Sequence, residues 1–385
     1  MDINKFEKLR LLQFPQTEKF TYFDTAYTGL IPVNGKKAMD AYMNYRFENG
    51  LWSDEYESNW DFADEVRAVF AKVINADPKE IFFGANSSEI LNFFSTGMEF
   101  PEGANIVTSS MSFPATPFNW INRLGLENVR VAQAEDGILP AEKLFELCDE
   151  KTAVIALCMV ENTSGWKHDL HKIGNYCREH GIYLVIDATQ CITAMKIDVE
   201  ELGIDFLATS CYKWLTSYHG LGIGYCSKKI MDKVNPAFVG WVGEDDKFKP
   251  IRFKMNLAKD SRKFELGGFN WADMRAVKVS MENYLSLGID DVNDYILGLT
   301  NYFYQQIKTL PGFSIIGGGC PDENKSNIVF MRFPKGLPIT DAKLAADGIR
   351  CHIATEDTIR LGLHYYNRIE DIDNFLAYFK ALSEA

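Results

Sequence analysis

Val185-Ile186-Asp187-Ala188-Thr189-Gln190, followed further on by Ser210-Cys211-Tyr212-Lys213-Trp214, is the stretch that decides the fold of this chain. An apolar run from Tyr183 to Ile186 stops abruptly at Asp187. An acid at the carboxyl end of a strand lies where open α/β sheets place their ligand contacts. Lys213 stands between two aromatic residues and ahead of glycines at 220, 222 and 224. A lysine in aromatic, partly desolvated surroundings gives up its proton more readily and becomes a Schiff-base nucleophile. Lys196, Lys228 and Lys229 read as ordinary solvated lysines.

Upstream of this stretch, strands and helices alternate. Val154–Met159 reads as a buried strand, followed by a helix near 172–180. Asn105–Thr108 is another strand, and Lys79–Phe83 is a third that runs into Gly84-Ala85-Asn86-Ser87-Ser88-Glu89. Such alternation builds βαβ units and a parallel sheet. A helix over 35–49, an acidic-aromatic loop and a helix over 61–74 precede it, after a short helical lead-in over 1–18. Ser87 and Ser88 at a helix start mark an anion site, because the first N–H groups and the helix dipole favour negative charge there. Plain N-capping by serine accounts for them equally well. After a long helix from about 281, strands near 313–316, 328–333, 350–354 and 358–364 and a helix over 369–383 form a smaller α+β unit. The expected division is a segment 1–18, a large domain 19–280 and a small domain 281–385.

The chain has 385 residues, 46% apolar and 24% charged, which is ordinary globular composition. No apolar run reaches the length of a membrane span, and no export signal is visible at the N-terminus. Eight cysteines are scattered without a CxxC pair, the usage of reduced thiols in a cytoplasmic protein. A formal charge of −13 opposes nucleic-acid binding and leaves small molecules as the expected partners.

Asp187 offers a carboxylate for a pyridinium nitrogen, and Lys213 offers an amine for an aldehyde. Pyridoxal phosphate requires both. A carboxylate about 4 Å from a pyridinium contributes roughly 4 kcal/mol at an effective dielectric near 20, before desolvation is subtracted. The order D-x-x-Q, I-D-F, S-x-x-K-W resembles the class V aminotransferase, or cysteine desulfurase-like, branch of the fold-type I pyridoxal phosphate enzymes. The resemblance extends from Tyr22 to about Phe379. It implies an α/β fold with a mostly parallel seven-stranded sheet between helices and a smaller C-terminal α+β domain.

The resemblance also implies roles. Lys213 carries the Schiff base and removes the Cα proton, Asp187 meets the pyridine nitrogen, and Gln190 meets the phenolic oxygen. Ser87, Ser88, Ser210 and Tyr212 hold the phosphate, with tyrosine where histidine is usual. Phe113, in Ser112-Phe113-Pro114, stacks on the ring, and Asn162 lies near the phenolic oxygen and the substrate carboxylate. Phe264-Glu265-Leu266-Gly267-Gly268-Phe269-Asn270 resembles F-E-x-G-T-x-N, which reaches the partner subunit's phosphate, so a homodimer with active sites at the interface is implied. Gly268 stands where threonine is usual and loses the side-chain contact. Arg360, in Ile359-Arg360-Leu361-Gly362-Leu363-His364, forks onto the substrate carboxylate, with Tyr27 near the substrate.

Two hallmarks of a cysteine desulfurase are missing. Phe113 replaces a proton-transferring histidine, and Gly348 to Asp357 runs almost directly to Arg360 with no room for a loop carrying a mobile cysteine. Cys351 reads as a packed thiol. The phenylalanine is nearer the kynureninase and isopenicillin N epimerase style. The reaction expected is aminotransferase-like, on a small L-amino acid. The alternatives are a β-eliminating C–S or Cβ–Cγ lyase, an epimerase, or a non-catalytic cofactor-binding regulator.

Overall fold

The computed structural model describes residues 3–249 and 253–384. Its main sheet has seven strands. They are β2 (Ile81–Gly84), β3 (Asn105–Ser109), β4 (Val129–Ala132), β5 (Thr152–Cys158), β6 (Tyr183–Asp187), β7 (Phe206–Ser210) and β8 (Gly222–Cys226), after a short β1 (Thr21–Tyr22) that lies elsewhere. The spatial order is β2-β8-β7-β6-β5-β3-β4. Strands β3 to β7 pair in parallel, and β8 runs antiparallel to both its neighbours.

Alternate residues of these strands enter two separate cores, as the two-residue period of a strand requires. Phe82, Val185 and Ala208 face one core, where the helices Ser87–Gly97 and Ala115–Leu124 cover the sheet. Phe83, Leu184, Ile186 and Leu207 face the other, under the helices Ser53–Ile74, Leu170–His180 and Trp271–Leu287. A sheet covered on both faces carries continuous apolar strands, which is why Tyr183 to Ile186 shows no polar alternation.

The acidic-aromatic segment expected as a loop is helical from Ser53 onward. Asp54 and Glu55 lie in its first turn, and the Glu55 carboxylate accepts from the Trp52 N–H at 3.0 Å. Acids there complement the helix dipole, and Trp60, Ala63, Val66 and Phe70 supply a buried stripe. The long helix expected from about 281 begins at Trp271, capped by Asn270, and breaks at Gly288 (φ 87°) before Ile289–Gln306. The expected boundary at 280/281 lies inside that first helix.

The remaining strands are β9 (Ser314–Ile315), β10 (Ile328–Arg332), β11 (Ile349–Arg350), β12 (His352–Thr355) and β13 (Thr358–Gly362). An antiparallel sheet runs β12-β13-β10-β9, and β1 pairs in parallel with β11. The Gly362 N–H donates to Phe23 O at 2.7 Å. This seam carries the loop after β1 to the edge of the C-terminal sheet.

A buried ion pair fixes the entry to the main sheet. Glu265 accepts from the Arg67 guanidinium and from the Phe83 N–H at 3.1 Å, and both side chains are almost fully buried. Removing one partner strands a buried charge. Urea titration of Arg67→Ala is expected to show a loss of about 3–5 kcal/mol. Lys335→Ala, which opens the exposed Lys335–Glu356 pair, is expected to stay within about 1 kcal/mol of the parent.

Candidate active site

Strand register assembles the site. Cys158 at the end of β5 pairs with Asp187 at the end of β6, Asp187 pairs with Ala208 of β7, and Ser210 pairs with Gly222 at the start of β8. Gly222 also pairs with Gly84 at the end of β2, so the turn into the helix Ser87–Gly97 reaches the same edge. A cavity of about 450 Å³ opens there. Eight of the expected residues line it: Ser87, Ser88, Phe113, Asp187, Gln190, Ser210, Tyr212 and Lys213.

Burial lowers the Lys213 amine to about 8, the nearby Asp187 carboxylate resists that shift, and Arg360 adds to it. The Nζ lies 5.6 Å from the centroids of both Phe113 and Tyr212. Asp187 is 4% exposed, and burial raises its carboxyl despite the Thr189 N–H donated to Oδ1 at 2.9 Å. A buried carboxylate this poorly compensated fits a cationic N–H arriving from the cavity. A free amine beside it fits an aldehyde.

Gln190 is held by Trp214, whose indole N–H donates to Oε1 at 3.0 Å, while Nε2 donates to Ala26 O at 3.0 Å. The aromatic after the lysine therefore fixes the amide rather than lining the cavity. Gly29 explains its own identity. A Cβ there would lie 2.0 Å from Lys213 O, and its N–H donates to Tyr212 O at 2.9 Å. The loop carrying Ala26 and Tyr27 thus packs on the backbone of the lysine.

At the helix start the side chain of Asn86, not a serine, is the cap, accepting from the Glu89 N–H at 2.9 Å. The Ser87 N–H donates to Ser210 Oγ at 2.9 Å, and Ser210 Oγ bonds Ser87 Oγ at 3.1 Å. With capping assigned to Asn86, both serine hydroxyls belong to the cavity wall. Phe113 is held by its N–H to Cys158 Sγ at 3.4 Å, and the preceding Ser112 donates to Glu161 at 3.2 Å. Glu161 is buried against His168 at 2.9 Å.

The other expected residues lie around the cavity rather than in its wall. Arg360 is 7% exposed, its Nε has no partner among the described residues, and its nearest acid is Asp24 at 4.0 Å. Burial raises the Asp24 carboxyl to about 6, against the pull of Arg360. Asn162 is half-buried with Oδ1 unpartnered among the described residues. Tyr27 stands apart from the cavity wall, 61% exposed and stacked on His352 at 6.0 Å between centroids. His352 is the residue opposite Arg360 across β12 and β13. Gly268 borders a neighbouring cavity with Phe83, Glu89 and Gly220. Cys351 is packed against the core, and burial pushes its thiol up. Sequence reasoning missed Cys158, Thr189 and His219 in the wall and Asp24 and His352 beside Arg360. Cys158 was readable in principle as the last residue of the strand next to Asp187.

The Aminotransferase class-V family matches residues 21–375. The chain belongs to the class V aminotransferase family. It is a pyridoxal-phosphate-dependent enzyme. Among its class V relatives, a probable cysteine desulfurase of Methanothermobacter thermautotrophicus is 26% identical over 93% of each chain. An uncharacterized aminotransferase of Schizosaccharomyces pombe is 28% identical over 93% of this chain and 90% of that protein. In fold it is similar to a cystine C–S lyase solved with its product cysteine persulfide (TM-score 0.86, 20% identity, covering 96% of this chain and 99% of that one). It is also similar to a cysteine desulfurase of Thermococcus onnurineus (TM-score 0.82, 21% identity, 98% of each). No helix among the described residues is long and apolar enough to cross a membrane.

Two outcomes follow from the electrostatics. The rate at which the cofactor-free chain captures pyridoxal phosphate is expected to rise with pH through about 8, because only the neutral amine attacks; absorbance stopped-flow reads it. A midpoint near the ordinary lysine value of about 10.4 would contradict the desolvated amine. Asp187, with its carboxyl raised on folding, favours the folded state most at low pH and progressively less as pH climbs above its unfolded value near 3.9. Cofactor-free Asp187→Asn is therefore expected to melt above the parent at pH 7, with the gap closing toward pH 4, as calorimetry can follow.

Proposed function

We propose that this enzyme transaminates a small L-amino acid. The observation that carries the reading is the Lys213 amine, lowered to about 8 in one cavity with buried Asp187. When bound, the cofactor supplies a protonated, conjugated ring that accepts electron density from the substrate Cα. Lys213 would hold its aldehyde, Asp187 its ring nitrogen, Ser87, Ser88 and Ser210 its phosphate, and Phe113 one ring face.

Lys213 Nζ takes the proton from the substrate Cα and, for transamination, would deliver it to the carbon that carried the cofactor's aldehyde rather than back to Cα. An amine near 8 serves both directions at neutral pH, because neither protonation state is strongly disfavoured. Arg360 orients the substrate through its carboxylate. Its buried Nε, without a partner among the described residues, and the 4.0 Å gap to Asp24 suit the guanidinium to a bidentate partner. Phe113 and Tyr212, each with its ring centroid 5.6 Å from Nζ, flank the basic amine. We assign the enzyme to the cytoplasm as a homodimer.

A second reading, a β-eliminating C–S lyase, is favoured by one feature. His352 stands opposite Arg360, and burial lowers its imidazole, so a neutral ring lies beside the carboxylate-binding guanidinium, where a β-substituent would depart. Sulfur transfer through a mobile cysteine is not supported, because Cys351 is packed.

The deciding experiment mixes cofactor-loaded enzyme with a panel of L-amino acids in heavy water, without any oxo-acid, and analyses products by mass spectrometry. Transamination predicts one equivalent of pyridoxamine phosphate and one of oxo-acid. Many turnovers yielding ammonia and pyruvate would overturn it in favour of the lyase.

A further inference from the structure

We propose that His219 is a ligand of the cofactor phosphate, supplying from a loop the imidazole absent at position 212. The inference rests on the cofactor assignment and is independent of the reaction type. A phosphate monoester brings up to two negative charges, and the serines and N–H groups at the helix start are neutral donors. Among the described residues lining the cavity, the basic side chains are Lys213 and His219. Lys213 is committed to the aldehyde, which leaves the imidazole to face the phosphate.

Its position is built rather than incidental. The His219 ring lies flat against Tyr212, with centroids 4.0 Å apart and planes 19° apart. It therefore occupies the volume next to the residue that precedes Lys213. The chain just beyond it runs along the phosphate turn. A Cβ on Gly222 would come within 2.8 Å of the Asn86 backbone, where the helix carrying Ser87 and Ser88 begins. Gly220, at φ 100°, makes the bend that other residues adopt only with strain.

The preceding residues are pinned by one carboxylate. Asp273, buried in the first turn of the helix Trp271–Leu287, accepts from the Ser217 hydroxyl and from the Tyr218 N–H at 2.9 Å. Burial raises Asp273, and the neighbouring His219 is one of the groups that oppose the rise. Its second oxygen, Oδ2, is buried without a partner among the described residues. The carboxylate thus fixes the two residues that lead into His219.

The test compares pyridoxal phosphate with pyridoxal, which has the aldehyde and ring but no phosphate. Dissociation constants of both are measured by absorbance titration on the cofactor-free full-length chain, its His219→Ala and its His219→Gln variant. The parent should bind the phosphorylated form more tightly, which checks the cofactor assignment separately. His219→Ala is expected to weaken pyridoxal phosphate by at least about tenfold, the scale of a charge-assisted hydrogen bond, with pyridoxal unchanged. His219→Gln, which keeps a side-chain N–H donor on a different framework, should fall between. Equal losses for both ligands would show a structural role, and no loss for either would show the phosphate held by other groups. Either result overturns the proposal.

Discussion

Asp187 is buried at the end of a strand with its carboxyl raised, and the amine that opposes it is itself desolvated and lowered. Each group costs free energy in the cofactor-free chain, and neither fully compensates the other. The pair persists because strand register places both at one edge: Cys158 beside Asp187, Asp187 beside Ala208, and Ser210 beside Gly222. Shifting β6 by one residue against its neighbours would turn the acid into the opposite core.

Much of the surrounding structure holds that edge still. The Arg67–Glu265 pair ties the helix Ser53–Ile74 to β2 and to the loop before Trp271. Gly29 presses the N-terminal loop onto the backbone of Lys213, and Trp214 locks the Gln190 amide. These are rigid devices around a strained pair, as expected where a site stores unfavourable electrostatics for later use. The C-terminal sheet contributes differently. It presents Arg360 and His352 as cross-strand neighbours, and β1, paired with β11, brings Asp24 and Tyr27 to them.

Local sequence carried the architecture far. Apolar runs ending in Asp187 or Cys158 announce buried parallel strands, and Ser-Cys-Tyr-Lys-Trp singles out one lysine among many. Spacing alone failed where charge patterning decides. Residues 50–60 look like a loop because acids and aromatics mix there, yet acids in the first turn start the helix at Ser53. It also failed where contacts are long-range. His219, exposed in the structure, gains meaning only when its ring is seen against Tyr212, and His352 gains meaning only from the antiparallel register with Arg360. The Asn86 cap could have been read from Asn-Ser-Ser-Glu, since the side chain three residues before Glu89 satisfies its N–H.

The most direct measurement is peptide mapping of the enzyme loaded with pyridoxal phosphate and reduced with borohydride. The account predicts one cofactor mass per chain, on the peptide containing Lys213 and on no other. Adduct distributed over Lys196, Lys228 or another lysine, with Lys213 unmodified, would contradict it.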